Sequence, residues 1–312
     1  MANYVFGVDI GGTTVKLGLF DIDGNILDKW EIPTRVTNGG INILPDIAAS
    51  VRNKMTEKNI AKEDVAGVGV GAPGPVDGEG IIHKAVNLGW NEMSLKKELS
   101  ALLDGMRVEG GNDANVAALG EMWKGGGQGH KDLVAVTLGT GVGGGIIIDG
   151  RIMTGARGSG GEIGHIHVED QETEACGCGN YGCLEEYASA TGITRLAHRK
   201  LQTSDKDSVL RHGEVSAKTV FDAVKAGDEL AIEIAQQFGD YLGKGLAVIA
   251  SIINPEIFVI GGGVSKAGDV LFEYIRPAFD KTVFHACRNT KFALATLGND
   301  SGIYGAAKMV LD

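Results

Sequence analysis

Apolar residues recur along the chain with the periods of both helices and strands. Residues 44–55 and 231–253 carry apolar side chains at three- and four-residue intervals, the spacing of one helix face. Asn254-Pro255 is predicted to end the second of these helices, because a residue before proline disfavours helical dihedrals. Short apolar runs predict strands at 65–70, 106–109 and 257–260. This mixture predicts an α/β protein.

One internal repeat organises this pattern. Residues 8–21 align without gaps on residues 136–149, and each copy reads as strand, glycine turn, strand and polar turn. The repeat predicts two α/β halves, with two glycine hairpins facing each other across a cleft. We expect an N-terminal domain over residues 1–115, a C-terminal domain over 116–298, and a last helix at about 299–312 that docks on the first domain.

Composition narrows the class of protein. The chain has 312 residues, of which 43% are hydrophobic and 22% charged, as in ordinary soluble globular proteins. No apolar run approaches the roughly 20 residues that a membrane span requires, and the N-terminus lacks the features of a secretory signal. The net charge is −11, and the Lys and Arg residues are scattered. We therefore expect a cytoplasmic protein that binds neither nucleic acid nor a membrane.

Glycine is the main departure from average composition, and its 49 residues are clustered beside apolar runs. Glycine allows backbone N–H groups to approach an anion closely, so two opposed glycine turns predict a polyphosphate ligand. Asp9, at the first turn, could hold a magnesium ion or its water shell. Gly139-x-Gly141-x-x-Gly144 fits a dinucleotide fingerprint, but a strand follows it where a helix is required. A Walker A motif does not occur in the sequence.

Three of the four cysteines lie within CGCGNYGCLEE, at positions 176, 178 and 183. They lie too close together to brace a fold as disulfides, and their spacing differs from that of a redox dithiol. With an upstream histidine, three thiolates form a closed Cys₃His set, which is typical of structural zinc. His165 and His167 would share one face of a strand, so periodicity leaves both open as the fourth ligand.

Asp113 is the candidate general base. It follows the strand predicted at 106–109 and precedes a helical run over 114–122, and ligands of open α/β sheets bind at such positions. The alternative is that Asp113 only caps this helix. Phosphoryl transfer to a hydroxyl requires positioning, charge neutralisation and one base for the hydroxyl proton.

Five motifs occur in the order seen in the ROK family (repressors, open reading frames, kinases), which the chain resembles over essentially its whole length. They are DIGGT from Asp9, GNDAN from Gly111, LGTG from Leu138, GEIGH from Gly161 and CGCGxxGCLE from Cys176. The cysteine motif is highly specific, whereas many actin-like ATPases share DIGGT. The resemblance implies a two-domain, actin-like (ribonuclease H-like) fold with the active site in the interdomain cleft. It also implies MgATP as donor, a hexose as acceptor and a homodimer, as in the family's ATP-dependent glucokinases.

The resemblance implies a role for each matching residue. Asp113 would be the catalytic base and His165 would complete the zinc site. His167 would fill space or contact the ligands from behind. The implied sugar-binding residues are Asn112, Glu162, His165 and Glu185, with Gly74 and Asn87 near the sugar unless they serve only a turn and a loop. The implied ATP-binding residues are Asp9, Gly11, Gly12, Thr13, Thr14, Gly139, Thr140, Gly141 and, under the adenosine, Gly261, Gly262 and Gly263. The implied zinc ligands are His165, Cys176, Cys178 and Cys183. Lys16 receives no role, and Cys287 is expected to be an ordinary free thiol.

Three other functions are alternatives to glucose phosphorylation. Another acceptor (mannose, fructose, allose or N-acetylmannosamine) is the alternative within enzymes, because one sequence does not separate these sugars from glucose. A sugar-sensing regulator is expected to need a DNA-binding extension before the first hairpin, which here begins within ten residues of the start. A mechanical ATPase would have no use for the cysteine motif beside Glu185.

Overall fold

The computed structural model describes residues 2–312 and has a mixed α/β architecture. The strands, numbered in chain order, are β1 Tyr4–Ile10, β2 Thr14–Asp21, β3 Ile26–Pro33, β4 Val65–Ala72, β5 Ile81–Ile82, β6 Met93–Ser94, β7 Val108–Asn112, β8 Leu133–Leu138, β9 Val142–Ile148, β10 Arg151–Ile152, β11 Ile257–Gly261 and β12 Lys291–Leu294. The helices are α1 Ile43–Lys58, α2 Leu95–Leu102, α3 Asp113–Lys124, α4 Glu185–Ala188, α5 Ala190–Thr203, α6 Ala217–Lys225, α7 Glu229–Ile253, α8 Val270–Thr282 and α9 Ser301–Leu311. All of the elements named from apolar spacing are present, although the strand expected at 106–109 begins two residues later. None of the helices in the described part of the chain is long and apolar enough to cross a membrane.

The chain divides into two compact units. The first contains the residues up to Lys131, together with Gly145–Gly161 and Leu297–Asp312, and the second contains Asp132–Gly144 and Glu162–Thr296. This division differs from the expected boundary after residue 115. The physical reason is that α3 packs along its length against α9, so both helices belong to the first unit.

The first unit is built on a five-stranded sheet of order β3-β2-β1-β4-β7. β1 pairs antiparallel with β2 and parallel with β4, which pairs parallel with β7. Side chains alternate along β1: Phe6, Val8 and Ile10 belong to the core beneath α1 and α2, whereas Val5 packs with residues of α9. By the same alternation, Asp9 lies on the face that α9 covers.

Helix α9 lies unusually close to the backbone of its neighbours. A Cβ atom added at Gly7 or Gly69 would overlap main-chain atoms of α9, and one added at Gly305 would overlap the carbonyl of Val116 in α3. Glycine at these positions therefore permits helix and sheet to approach to main-chain contact. This contact brings the first turn of α9 to the Asp9 side chain.

β8, β11 and β12 belong to the second unit, where β8 and β12 flank β11 in a parallel arrangement. The sheet that contains them has the order β10-β9-β8-β11-β12. The long helix α7 packs mainly on α8 and ends at Asn254, whose left-handed dihedrals (φ 51°) accept the turn before Pro255. The segment between Glu162 and Leu184 contains little regular structure. It carries the histidines and cysteines of the predicted metal site.

Candidate functional site

The first glycine hairpin joins β1 to β2. Its turn is closed by a hydrogen bond from Gly11 N–H to Thr14 C=O (3.0 Å), and Gly12 and Thr13 are exposed at the tip. Thr34, just after β3, supports this turn from the side: its hydroxyl donates to Gly11 C=O (2.7 Å) and its N–H to Thr13 C=O (2.9 Å). No local sequence pattern predicts this role of Thr34, because the contact depends on strand pairing.

Asp9 lies near the end of β1, beside this hairpin. Burial, together with the charge of Asp113 and against the opposing charge of Lys16, raises the pKa of Asp9 to about 6. Gly302, in the first turn of α9, lies so close that an added Cβ would be 2.7 Å from Asp9 Oδ2. Lys16 Nζ donates to Asn299 C=O (3.1 Å), so this cation lies against the segment before α9. Two carboxylates that repel each other form a site suited to a cation.

Asn112, rather than Asp113, caps helix α3. The Asn112 Oδ1 atom accepts from the N–H groups of Ala114 (3.0 Å) and Asn115 (3.2 Å), as an N-cap residue does. The helix-capping role that is the alternative for Asp113 therefore belongs to Asn112. Asp113 is the first helical residue, and its Oδ1 accepts from Ala114 N–H (2.8 Å) and Asn112 Nδ2 (3.0 Å). These bonds fix one carboxylate oxygen of Asp113.

Asn112 also connects two of the predicted sugar residues. Its Nδ2 donates to Gly74 C=O (3.1 Å), so Gly74 lies beside Asn112. Gly74 has a left-handed φ of 96°, and an added Cβ would lie 2.5 Å from Lys84 C=O, so glycine is required there for the turn itself. Asn87 is exposed in the short turn Val86–Leu88. Among residues 2–312, no hydrogen bond links the Asn87 side chain to Asn112.

The second glycine hairpin joins β8 to β9. Gly139 N–H donates to Gly141 C=O (3.0 Å), and Thr140 is exposed at the tip. Glu185, the first residue of α4, accepts from Val142 N–H through Oε2 (2.9 Å), and Ala190 N–H donates to Gly139 C=O (2.8 Å). The predicted sugar residue Glu185 therefore supports a predicted phosphate turn.

The glycines after β11 lie beside this second hairpin. β11 is paired with β8 as far as Gly261 and Thr137. Gly262 has a φ of 85°, and an added Cβ would approach the backbone of Leu138 to 2.5 Å. Gly263 has open space at its Cβ position. The turn that follows β11 therefore lies against the backbone of Leu138, at the base of the second hairpin, within the second unit.

The cysteine motif folds into a compact cluster with His165. The three Sγ atoms and a ring nitrogen of His165 lie within 4.8 Å of one another, with Cys176 and Cys183 buried. Cys178 Sγ is 3.6 Å from Cys183 Sγ, and Cys176 Sγ is 3.9 Å from His165 Nδ1. Zinc–sulfur bonds of about 2.3 Å give tetrahedral edges of about 3.8 Å, so this donor set fits zinc.

His167 points its ring nitrogens elsewhere. Its Nδ1 lies 2.9 Å from Tyr181 C=O and its Nε2 lies 2.8 Å from Asp170 Oδ1. This hydrogen bonding raises the pKa of His167. The geometry therefore distinguishes the two histidines that periodicity could not, since only His165 belongs to the donor cluster.

Short main-chain pairings hold the cluster beside the other predicted sugar residues. Leu184 N–H donates to Ile166 C=O and Val168 N–H to Gly182 C=O, both at 2.8 Å. Glu162 is exposed just before the single turn Ile163–His165. An added Cβ at Gly164, within that turn, would overlap the backbone of Val142, so the turn packs on the second hairpin.

The fold, the two glycine hairpins and the acidic residues beside them define a phosphotransferase of the actin-like ATPase class. The family model described as ROK family matches residues 5–312, and the chain belongs to that family. It is 45% identical to a glucokinase of Halalkalibacterium halodurans over 97% of this chain and 94% of that protein. A glucokinase of Thermotoga maritima is 38% identical, over 98% of this chain and 96% of that protein.

A solved structure gives the same result. A ROK family glucokinase from Streptomyces griseus, in complex with glucose and AMPPNP, matches with a TM-score of 0.73 at 35% identity, and the match covers 98% of each chain. These comparisons confirm the predicted family, the predicted fold and the predicted class of enzyme, a hexokinase-type phosphotransferase.

Proposed function

We propose that this protein catalyses the ATP-dependent phosphorylation of glucose to glucose 6-phosphate. The observation that carries this proposal is the 45% identity with a glucokinase over nearly the whole chain. The Asn112-Asp113 pair at the start of α3 and the acidic residues beside the cysteine cluster supply the chemistry that this reaction requires.

Asp113 is the proposed general base. Its carboxylate removes the proton of the sugar 6-hydroxyl as that oxygen attacks the γ-phosphorus of ATP. A new O–P bond forms, the bond to the β-phosphate oxygen breaks, and ADP leaves with its electron pair. Bonds from Ala114 N–H and Asn112 Nδ2 hold Asp113 Oδ1 and so orient the carboxylate.

MgATP is proposed to bind through the glycine turns. The backbone of residues 11–14 and 139–141 contacts phosphate oxygens, and Gly261–Gly263 lies under the adenosine. Magnesium fits at Asp9, because this carboxylate is half-buried and repelled by Asp113. A bound cation would offset both the free-energy cost of burying the charge and the repulsion. When bound, magnesium neutralises charge on the phosphates.

The sugar is proposed to be bound by Asn112, Glu162, His165 and Glu185. Carboxylates accept hydrogen bonds from vicinal hydroxyls. Val142 N–H holds Glu185 Oε2 (2.9 Å), and Glu185 Oε1 lies 3.9 Å from Cys176 Sγ. Gly74 and Asn87 are proposed near the sugar, Gly74 through the turn that Asn112 holds.

Zinc is proposed to be structural, with His165, Cys176, Cys178 and Cys183 as a closed set of ligands. Ligation through His165 Nδ1 would leave the ring proton on Nε2, where the same histidine could donate a hydrogen bond to a sugar hydroxyl. This arrangement accounts for the two roles of His165, because each role uses a different ring nitrogen.

The test is a panel of free sugars with MgATP, monitored by ADP release. Glucose is expected to give the highest kcat/KM. A higher value for mannose, fructose, allose or an N-acetylhexosamine would change the acceptor, and the absence of ADP release with every sugar would favour a sugar-sensing regulator. The homodimer and the cytoplasmic location stay predictions.

A further inference from the structure

A buried carboxylate lies in the loop that leads to the cysteine cluster. The Glu172 side chain is 2% exposed, and it accepts hydrogen bonds from Arg195 Nη2 (2.8 Å), from both terminal nitrogens of Arg199 (3.0 Å each) and from Tyr187 Oη (2.6 Å). Its Oε1 also accepts from Thr173 and Glu174 N–H at 3.0 Å. The arginines hold the pKa of Glu172 well below its usual range.

Arg195 extends this network to α4, which follows the last cysteine of the cluster. Its Nη1 donates to Glu186 Oε2 (2.8 Å), and its guanidinium lies 5.2 Å from the Tyr187 ring centroid. Glu186 and Tyr187 directly follow Glu185 in α4, which is a single turn of four residues. Glu172 and Arg195 therefore connect the loop before Cys176 to the residues beside Glu185.

A second set of contacts, which involves no metal ligand, holds the same loop before Cys176. The Tyr241 hydroxyl donates to Glu169 Oε2 (2.8 Å), and the Tyr241 ring stacks on that of Tyr187 with centroids 4.0 Å apart. The loop is thus fastened to α4, α5 and α7 through polar and aromatic side chains. None of these contacts uses a cysteine or His165.

We propose that Glu172 and Arg195 are positioning residues for sugar binding, which orient Glu185 through contacts that use no zinc ligand. The proposal rests on the proposed function, in which Glu185 binds the sugar. A helix of one turn has too few main-chain hydrogen bonds to fix the direction of its first side chain. Glu185 itself is contacted by Val142 N–H at Oε2 (2.9 Å) and by Cys176 Sγ at Oε1 (3.9 Å). The pair of Arg195 with Glu186 holds the next residue of α4 (2.8 Å).

The test compares Glu172→Gln with the matched control Glu174→Gln. Both glutamates pair with Arg195 and Arg199, but the Glu174 side chain is 62% exposed, so its ion pairs are weak. Glu172→Gln leaves the two arginines without their buried counter-charge. We expect the KM for glucose to rise about tenfold, with kcat and the KM for MgATP within about threefold of wild type. Glu174→Gln should match wild type, and both variants should keep stoichiometric zinc by elemental analysis.

The outcomes separate this inference from the proposed function. If wild type does not turn over glucose, the proposed function fails before any variant is compared. If wild type is active and Glu172→Gln has the same glucose KM as Glu174→Gln, the positioning role is wrong. Equal rises in both KM values would show a general structural role, and loss of zinc would overturn independence from the metal.

A second variant covers the case in which Glu172→Gln does not fold. Tyr187→Phe removes only the 2.6 Å hydrogen bond to Glu172 and keeps the stacked ring. We expect the KM for glucose to rise about threefold, with zinc content and the KM for MgATP unchanged. An unchanged KM for glucose in this variant would contradict the proposal.

Discussion

The two glycine hairpins resemble each other in sequence but differ in what holds them in place. The first is supported by Thr34 from the neighbouring strand of its own sheet, and its carboxylate, Asp9, is part of the hairpin strand. The second has Thr137 at the position equivalent to Asp9, and Glu185 contacts it from a segment more than forty residues further along the chain. Two hairpins with similar sequences are therefore held in place by different contacts. Regular sheet contacts hold one glycine turn in place, and the irregular cysteine segment holds the other.

The largest expected effect is in the first unit. Asp113→Asn should fold normally, because the amide retains the shape of the side chain, and should lower kcat by about 10²–10⁴-fold through loss of the base. Steady-state kinetics together with direct glucose binding measures this effect. A variant that retains more than about a tenth of wild-type kcat would exclude Asp113 as the base.

Asp9 should make the first hairpin sensitive to pH. Its folded pKa of about 6 lies above its ordinary value of 3.8, so the folded state holds the proton more tightly, and this contribution to stability is lost as pH rises from about 4 to 6. Asp9→Asn removes the buried charge and should be more stable than wild type above pH 6, by on the order of 2–3 kcal/mol, and nearly equal to it near pH 4. Urea unfolding of both proteins across this range is the measurement. A difference that does not vary with pH would contradict the shift.

The second hairpin should depend on the metal cluster. Cys178→Ala opens the ligand set, so zinc should be lost. Glucose affinity should fall at least about tenfold, roughly 1.4 kcal/mol, because Glu162, His165 and Glu185 lose their support. MgATP affinity should change less, since one hydrogen bond from Glu185 is only part of that turn. Elemental analysis and calorimetric titration test this, and a zinc-free variant that binds glucose normally would be contrary to it.

Single glycines give the smallest and most specific effects. Gly12 has open space at its Cβ position and Gly139 has only Gly141 C=O at 4.0 Å, so Gly12→Ala and Gly139→Ala should fold without strain. Each should raise the KM for MgATP by about three- to tenfold and leave that for glucose unchanged, if phosphate approaches the backbone there. Gly141→Ala should raise both, because its Cβ would overlap the Glu185 carboxylate. If Gly12→Ala and Gly141→Ala changed the KM for glucose equally, the proposed difference in support between the two hairpins would be wrong.

Local patterns predicted the elements and the clusters that depend on short segments. The helix and strand periods, the glycine turns and the three cysteines are each readable within a few residues, and the structure contains all of them. The contacts of Thr34, Gly302 and Glu172 were not predicted, because each joins segments distant in sequence without a periodic pattern. The sequence also could not show that Asn112, rather than Asp113, caps α3, because sequence patterns locate helix ends only to within one or two residues.

Helix α9 has a consequence for how the protein is made. Its main-chain contacts with β1, β4 and α3 complete the first unit, and its first turn reaches Asp9. Yet residues 297–312 follow the entire second unit in the chain. A ribosome that synthesises about 5–20 residues per second must therefore complete the second unit before the first can close around its buried carboxylate. At that rate roughly 15–60 seconds pass between the synthesis of β1 and that of α9. During this time the glycines of β1 and β4 lack their partner, and this face of the sheet stays uncovered.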